Sequence, residues 1–322
     1  MPLYGYAVTD KAHSYQMGPF CYRTTFPIPE LPPAEDDHLP VIAVSLGPVP
    51  TGLSQPAIST IHCQVSPDEF LLRIPGVAGY YARRGAEVLI EPDPKAAELD
   101  VRAFLLGNIF AALCHQRGLL PLHASSIRTA AGVVAFLGDS GAGKSSLAAF
   151  LARRGYPVVS DDICLIDPSA PLARRVLPVA PWLKLWRSTM EALGEQPDPE
   201  MRTFSEDDKF RFRQPHDSAP LPFAEVLVLT TTESDGTVFS ALTPARAVQS
   251  MLQFTYQSWL VHGTGQTASY FRRCGQALEG VRVLTMARPW GFASMEDTLD
   301  ALEAHLRERA PGERAPAPEF HS

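Results

Sequence analysis

Short apolar runs bounded by glycine and proline recur through the first third of the chain. Val41–Leu46, Phe70–Ile74 and Glu87–Ile90 are three of them, and their length and boundaries are typical of β-strands. A Pro-rich stretch at residues 26–40 precedes these runs. The pattern predicts a small β-rich region over residues 1–99.

Helical periodicity begins near residue 100. Between residues 100 and 117 apolar side chains recur at intervals of three or four, which predicts a helix, and Gly118 follows as its C-cap. The longest apolar passage, residues 103–114, is interrupted by Gly107 and Asn108. It is shorter than the roughly 20 residues that a membrane span needs, so we expect no membrane partner.

The middle of the chain alternates between strand and helix patterns. Gly132–Leu137 is an apolar, β-branched run and Ser145–Arg154 has helical character. Gly155 can end that helix in the left-handed conformation, and Pro157 prevents its continuation. A second apolar run starts at Val158. Strand, glycine-rich loop, helix and strand in this order predict an α/β fold.

Further elements are predicted downstream. Val226–Thr230 is a strand pattern, Pro244–Trp259 a helix opened by Thr243, and Met295–Arg307 a C-terminal helix. Residues 309–322 contain too little apolar material to pack, which predicts a disordered tail.

The loop between the first strand and helix of the middle segment carries the clearest chemistry. Residues 138–145, Gly-Asp-Ser-Gly-Ala-Gly-Lys-Ser, satisfy the pattern G-x-x-x-x-G-K-[ST]. Glycines let successive backbone N–H groups face one anion, Lys144 reaches the β and γ phosphates, and the Ser145 hydroxyl binds Mg²⁺. The pattern therefore predicts binding of ATP with Mg²⁺. The predicted nucleotide-binding residues are Gly138, Asp139, Ser140, Gly141, Ala142, Gly143, Lys144, Ser145 and Ser146.

Two carboxylates, Asp161 and Asp162, follow the next apolar run. One can hold the metal while the other accepts a proton from an attacking hydroxyl. Neighbouring residues on a strand point to opposite faces, so both can enter one site only if the backbone turns there. Upstream, a hairpin would bring His123 toward the phosphates, although a lone histidine beside an apolar run is more often a structural residue.

Composition excludes some classes of partner. The net charge is −7 and charged residues of both signs are mixed along the chain. The sequence therefore lacks a cluster of basic residues of the kind that binds nucleic acid. The five cysteines are scattered without a Cys-x-x-Cys pair, which argues against a disulfide framework or a zinc site. The N-terminus lacks a signal-peptide pattern. These features favour a cytoplasmic protein.

Three features follow one another along the chain: His123, the loop Gly-Asp-Ser-Gly-Ala-Gly-Lys-Ser-Ser, and the segment Arg-Arg-Gly-Tyr-Pro-Val-Val-Ser-Asp-Asp. This order resembles the catalytic domain of HPr kinase/phosphorylase. This bacterial serine kinase has a fold similar to phosphoenolpyruvate carboxykinase. The resemblance is strongest over residues 122–166 and implies a P-loop catalytic domain over residues 100–308. It further implies that Asp161 is the general base on the acceptor serine, Asp162 a metal-side partner of Ser145, and His123 a neighbour of the transferred phosphate.

Beyond that segment the chain departs from the HPr enzymes. Their signature L-E-x-R-G-x-G-I, associated with the phosphorylase reaction, is replaced by Val-Ala-Pro-Trp-Leu-Lys-Leu-Trp at residues 179–186. This segment, together with residues 208–211 and 287–289, resembles HPr-kinase-related proteins encoded beside ribosomal peptide maturation genes. Among them are lasso-peptide precursor kinases, which phosphorylate a C-terminal serine. Candidate cations for charge on the transferred phosphoryl are Lys184, Lys209 and Arg288.

The leading hypothesis is a Mg·ATP-dependent serine kinase whose partner is a peptide or protein with an acceptor serine. Alternatives are an HPr-type protein kinase, an ATP-sensing module without catalysis, and a small-molecule kinase. Since related HPr enzymes assemble as hexamers, the resemblance also implies a homo-oligomer. Three further aromatic residues are predicted to belong to the core: Trp182, Trp186 and Tyr256.

Overall fold

The computed structural model describes residues 12–36, 38–180 and 182–308, with backbone alone at positions 262 and 263. It is a mixed α/β structure with several sheets, which confirms the predicted α/β class. The tail predicted at residues 309–322 lies outside the described residues. In the part described, no helix is both long and apolar enough to cross a membrane.

An eight-stranded sheet occupies the first part of the chain, in the order β1-β2-β3-β8-β7-β6-β5-β4. The pairs β2–β3 and β3–β8 are parallel and the other pairs antiparallel. The three strands predicted from apolar runs are present as β3, β6 and β8. The bounds are β1 His13–Met17, β2 Phe20–Thr24, β3 Val41–Leu46, β4 Ile58–Ser59, β5 Cys63–Val65, β6 Glu69–Ile74, β7 Ala78–Arg83 and β8 Glu87–Pro92.

The predicted helix at 100–117 is present as two α-helices joined by one π-helical turn. They are α1 (Glu98–Phe104), the π turn Leu105–Ile109, and α2 (Phe110–Gln116). Their apolar side chains share one buried cluster with the eight-stranded sheet, and the Tyr80 hydroxyl donates to the Val101 carbonyl at 2.9 Å. Because this helix and the first sheet share one core, their packing does not mark a domain boundary between them. The domain boundary at residue 99 stays a prediction.

The second large sheet has six strands in the order β12-β10-β11-β17-β19-β18. Its central strands β11, β17 and β19 are parallel, and every residue of β11 is buried. Helices cover both faces, which is why these strands are continuous apolar runs. The bounds are β10 Ser125–Thr129, β11 Gly132–Leu137, β12 Val158–Ser160, β17 Phe223–Thr231, β18 Val238–Ala241 and β19 Arg282–Arg288.

Two small sheets border the candidate site. One has three strands in the order β14-β13-β9, and the other pairs β15 with β16 as an antiparallel hairpin. Short 3₁₀ helices lie at Leu172–Arg174 and Pro199–Met201. The bounds are β9 Leu120–Leu122, β13 Cys164–Ile166, β14 Val176–Leu177, β15 Trp182–Trp186 and β16 Lys209–Arg213.

One predicted helix, Pro244–Trp259, is wrong in its C-terminal part. The helix ends at Gln253, where the chain turns against β9. The His123 N–H donates to the Phe254 carbonyl at 2.7 Å, and the Tyr256 N–H donates to the Pro121 carbonyl at 2.8 Å. The remaining helices are α3 Lys144–Arg153, α4 Arg187–Ala192, α5 Pro244–Gln253, α6 Ser258–Gly263, α7 Thr267–Ala277 and α8 Met295–Arg307.

Candidate active site

The glycine-rich loop leaves the end of β11 and enters α3, as the sequence predicts. Gly141 and Gly143 have φ values of 86° and 82°, a left-handed conformation that side chains with a Cβ rarely adopt. Gly143 is the residue immediately before α3. Backbone N–H groups at the start of this helix are thus available to an anion.

The Lys144 side chain folds over this loop. Its Nζ donates to the Gly138 carbonyl at 2.7 Å and to the Asp139 carbonyl at 3.0 Å. Burial lowers the pKa of Lys144, while the carboxylates of Asp161 and Asp162 oppose that shift. The ammonium therefore lies in the loop, where phosphate oxygens would meet it.

The backbone turns sharply after β12, so both carboxylates enter one site. Asp162 has a φ of 68°, and the Ile163 N–H donates to the Asp161 carbonyl at 2.8 Å. A left-handed non-glycine residue is uncommon and points to a constraint from surrounding structure. This turn meets the condition that two neighbouring aspartates must satisfy to share a site.

Asp161 is held by three donors. Its Oδ1 accepts from the Ser145 hydroxyl at 2.7 Å and from the Ser125 hydroxyl at 2.5 Å. Its Oδ2 accepts from the Lys184 backbone N–H at 2.7 Å. The carboxylate is therefore fixed directly beside the serine that the loop pattern assigns to Mg²⁺.

Asp162 faces Lys184 and His123 instead. Lys184 Nζ lies 2.6 Å from Asp162 Oδ2, and His123 Nδ1 lies 3.4 Å from Asp162 Oδ1. Burial raises the pKa of Asp162, but the charge of Lys184 and the hydrogen bond from His123 outweigh it and hold that pKa well below its ordinary value. Asp162 thus remains ionised and is a poor proton acceptor. The Ser145 hydroxyl donates to Asp161 rather than to Asp162, the predicted metal-side partner.

Arg288, at the end of β19, packs against the loop. Its Nη2 donates to the Ala142 carbonyl at 2.9 Å, and the side chain is almost fully buried. Lys209, at the start of β16, lies with its Nζ 5.9 Å from the Trp186 ring centroid. The Ser146 hydroxyl lies 2.9 Å from the Thr189 hydroxyl, and both residues line one common pocket.

Most of the predicted site residues line one pocket of about 370 Å³, the main pocket. Gly138 and Asp139 instead line a neighbouring cavity that also contains His123 and Ser140, while Ala142 lines neither. The predicted residues on the wall of the main pocket are His123, Ser140, Gly141, Gly143, Lys144, Ser145, Ser146, Asp161, Asp162, Lys184, Lys209 and Arg288.

Aromatic side chains at this pocket are the residues that sequence reasoning missed. Trp186, predicted to be core, is 51% exposed and lines the pocket together with Trp290 and Phe292. Trp182 is partly buried, and Tyr256 lies edge-on to His123 at 5.8 Å between ring centroids. Trp290 directly follows the predicted Arg288-Pro289 segment, which is the one sequence signal that could have located it.

The pocket can accommodate Mg²⁺ on its oxygen donors. The Ser145 hydroxyl and the Asp161 carboxylate are hard oxygen ligands, and Mg²⁺ usually combines one or two such groups with substrate phosphates. Within the described residues no group of three His, Cys, Asp or Glu side chains could hold a metal alone. A metal at this position would therefore depend on oxygens of the nucleotide.

Comparison with known proteins gives a distant likeness among solved structures and none elsewhere. No protein-family model and no curated protein matches the chain. Among solved structures, it is similar to the HPr(Ser) kinase/phosphatase from Coxiella burnetii, with 12% sequence identity and a TM-score of 0.26. The match covers 58% of this chain and 97% of that chain. A similarity with so low a TM-score does not bear on the function of this chain.

Proposed function

We propose that this chain is a Mg·ATP-dependent kinase that phosphorylates a serine hydroxyl of a peptide or protein. The observation that supports this most strongly is the 2.7 Å hydrogen bond between Ser145 of the glycine-rich loop and Asp161. It places a carboxylate directly beside the glycine-rich loop that we propose binds the phosphates. A module that only senses ATP has no need for a proton acceptor beside the phosphates.

The proposed reaction uses residues of this one pocket. The acceptor hydroxyl gives its proton to Asp161, its oxygen bonds to the γ-phosphorus, the bond from that phosphorus to the β–γ bridging oxygen breaks, and ADP leaves. Lys144, Lys209 and Arg288 counter the charge on the phosphoryl oxygens. A Mg²⁺ ion held by Ser145 would neutralise charge on the β and γ phosphates.

Two assignments of the carboxylates are distinguishable. The first makes Asp161 the base and Asp162 the metal-side partner, and the low pKa of Asp162 supports excluding Asp162 as the base. The second places Asp161 on the metal side, which its hydrogen bond to Ser145 favours. His123 and Lys184 anchor Asp162 in either case.

For the acceptor, we propose a ribosomal precursor peptide of the lasso type, phosphorylated at its C-terminal serine. HPr itself is the alternative protein substrate. We further propose that the chain acts in the cytoplasm, without nucleic acid or membrane as partner, and that it forms a homo-oligomer as related HPr enzymes do.

Calorimetry and a transfer assay test the kinase proposal in sequence. ATP and ADP with Mg²⁺ are expected to release heat on binding to the purified chain. Radiolabelled ATP is then expected to label peptides that end in serine, and the same peptides ending in alanine serve as the control. Label that stays on ATP despite tight binding would favour the sensor, and absence of nucleotide binding would exclude both functions.

A further inference from the structure

Exposed aromatic side chains collect at the main pocket. Within the described part of the chain, the exposed tryptophan and phenylalanine residues are Trp186, Trp259, Phe271, Trp290 and Phe292. Three of these five, Trp186, Trp290 and Phe292, line the main pocket. Apolar rings gathered in one concave site are typical of a binding surface, because a ligand that covers them removes apolar area from water. None of the three takes part in the proposed phosphoryl transfer.

Trp290 and Phe292 lie against the glycine-rich loop and the helix that follows it. A Cβ placed on Gly143 would lie 3.9 Å from Trp290 Cζ3, and the ring centroids of Phe292 and Phe150 of α3 are 6.0 Å apart. Gly291, between the two aromatic residues, has a φ of 104° and lines the pocket with them. The aromatic pair is therefore fixed beside the end of the loop at which α3 begins.

Arg288 connects the loop to this aromatic pair. Its Nη2 donates to the Ala142 carbonyl at 2.9 Å, and its guanidinium carbon lies 5.7 Å from the Trp290 ring centroid. Lys144 is also on the wall of the pocket, so flat apolar rings and cations stand side by side. A ligand that matches both combines a flat ring with an anionic group, which is the chemistry of a nucleotide.

The carboxylates of the pocket are engaged away from this pair. The acidic side chains on the pocket wall are Asp161 and Asp162. The Ser145 hydroxyl donates to the first, and Lys184 Nζ lies 2.6 Å from the second. Within the described residues neither forms an ion pair with Arg288. The cation beside the aromatic pair is therefore available to an anionic ligand.

The polar side chains that α4 contributes to the pocket wall are hydroxyls, those of Ser188 and Thr189. Thr189 is buried, and its hydroxyl lies 2.9 Å from that of Ser146 at the start of α3. A hydroxyl both donates and accepts, so it does not distinguish the edge of adenine from that of guanine. Stacking is equally tolerant, because every base has a π face.

We propose that Trp290 and Phe292 form the base subsite of the main pocket, and that they hold the base of the nucleotide by stacking. The inference rests on the proposed function, because it names how the same site holds the end of its nucleotide that carries no phosphate. The subsite takes purine nucleotides with little preference between adenine and guanine. Pyrimidine nucleotides bind less tightly, because a smaller ring covers less aromatic surface.

Pyrophosphate with Mg²⁺ is the probe that separates the two ends of the ligand, since it has the phosphates of ADP without base or ribose. Calorimetry on the full chain compares it with Mg·ADP. Trp290→Leu should weaken binding of Mg·ADP by about 5- to 100-fold and leave that of Mg·pyrophosphate within about twofold. Phe292→Leu should act in the same direction. Retained pyrophosphate binding shows that the loop and Arg288 are undisturbed.

Trp259→Leu and Phe271→Leu are the matched controls. These side chains are 41% and 51% exposed, and neither lines the main pocket. Both variants should bind Mg·ADP as the unmodified chain does. Trp290→Phe keeps a ring on which a base can stack, so it should retain most of the affinity and exclude misfolding as the cause of the loss in Trp290→Leu.

Base preference is the second measurement. Mg·GDP should bind the unmodified chain within about threefold of Mg·ADP, and Mg·CDP more weakly than either. A preference for adenine over guanine of more than about 100-fold would overturn the proposal, because hydrogen bonds to the base edge would then decide binding.

The failure of this proposal is distinguishable from that of the kinase. Normal Mg·ADP affinity in both Trp290→Leu and Phe292→Leu refutes the base subsite alone. If the same variants then lose binding of a serine-containing peptide, the rings belong to the acceptor instead. Absence of binding of both Mg·ADP and Mg·pyrophosphate to the unmodified chain refutes the kinase itself.

Discussion

The two sides of the main pocket are built in contrasting ways. The loop side is a single contiguous segment, residues 138–145, fixed between a buried strand and a helix. The carboxylate side gathers His123, Asp161, Asp162 and Lys184 from separate strands and turns. Local backbone conformation forms the first side, whereas hydrogen bonds and ion pairs between distant residues form the second.

This difference predicts how each side responds to mutation. Damage to the loop should mainly affect nucleotide binding, because in the proposed function the loop would supply N–H groups and one ammonium to the phosphates. Damage to the carboxylate side should affect transfer or stability, because its groups neutralise one another in the fold. The following substitutions test that division, starting with the largest expected effect.

Asp161→Asn should reduce phosphoryl transfer by about 10²- to 10⁴-fold, because the amide cannot accept the acceptor's proton. The measurement is peptide phosphorylation by mass spectrometry, together with Mg·ADP affinity by calorimetry. Unchanged affinity supports Asp161 as the base, and a large loss supports its place on the metal side. Phosphorylation at the rate of the unmodified chain would contradict both assignments.

Lys144→Ala should weaken Mg·ATP binding by about 10- to 100-fold, since it removes a charged hydrogen-bond donor from the loop. The melting temperature should change little. Lys95→Ala, at an exposed position, is the control and should bind ATP normally. Equal affinities for the two variants would show that the loop lysine does not reach the phosphates.

Gly143→Ala should lower the free energy of unfolding by about 2–4 kcal/mol. The left-handed φ of 82° costs about 1–2 kcal/mol for a residue with a Cβ, and the new Cβ would lie 2.5 Å from Arg288 Nη2. Displacing that group endangers its hydrogen bond to Ala142.

Gly155→Ala is the comparison for this prediction. It has a φ of 92° with no heavy atom within 4 Å of the new Cβ, so only the backbone cost of about 1–2 kcal/mol applies. Urea unfolding of both variants isolates the contribution of the Arg288 contact. Equal destabilisation by the two substitutions would mean that Arg288 moves aside without cost.

Asp162→Asn should destabilise the fold by about 1–3 kcal/mol at pH 7, because Lys184 and His123 lose their anionic partner. The lowered pKa of Asp162 fixes the sign of the pH dependence. Its contribution is complete above the ordinary value near 3.8 and is lost as the pH falls below it. Urea unfolding at pH 7 and pH 3 should therefore show a smaller gap between the variants at pH 3, and a constant gap would refute the ion-pair account.

Elements governed by nearest neighbours could be predicted from the sequence. Strand β11 and helix α8 have the predicted bounds, because continuous burial and amphipathic periodicity are written in consecutive residues. The predicted helix through Trp259 was wrong because Pro121 of β9 and the adjacent His123, far away in the sequence, form hydrogen bonds with the backbone of Phe254 and Tyr256 in place of helical ones. The assignment of Trp186 to the core was wrong, because the exposure of this side chain depends on the placement of the β15–β16 hairpin and not on its neighbours in the sequence.

By itself, the sequence determined the α/β class, the glycine-rich loop between a strand and a helix, and the candidate carboxylates, since each depends on residue type and short spacing. Only the tertiary structure decided that Asp161 meets Ser145 while Asp162 meets Lys184. The physical reason is that a charge acquires its role from the groups opposite it, and in this protein those groups are brought near by strand pairing and by a left-handed turn.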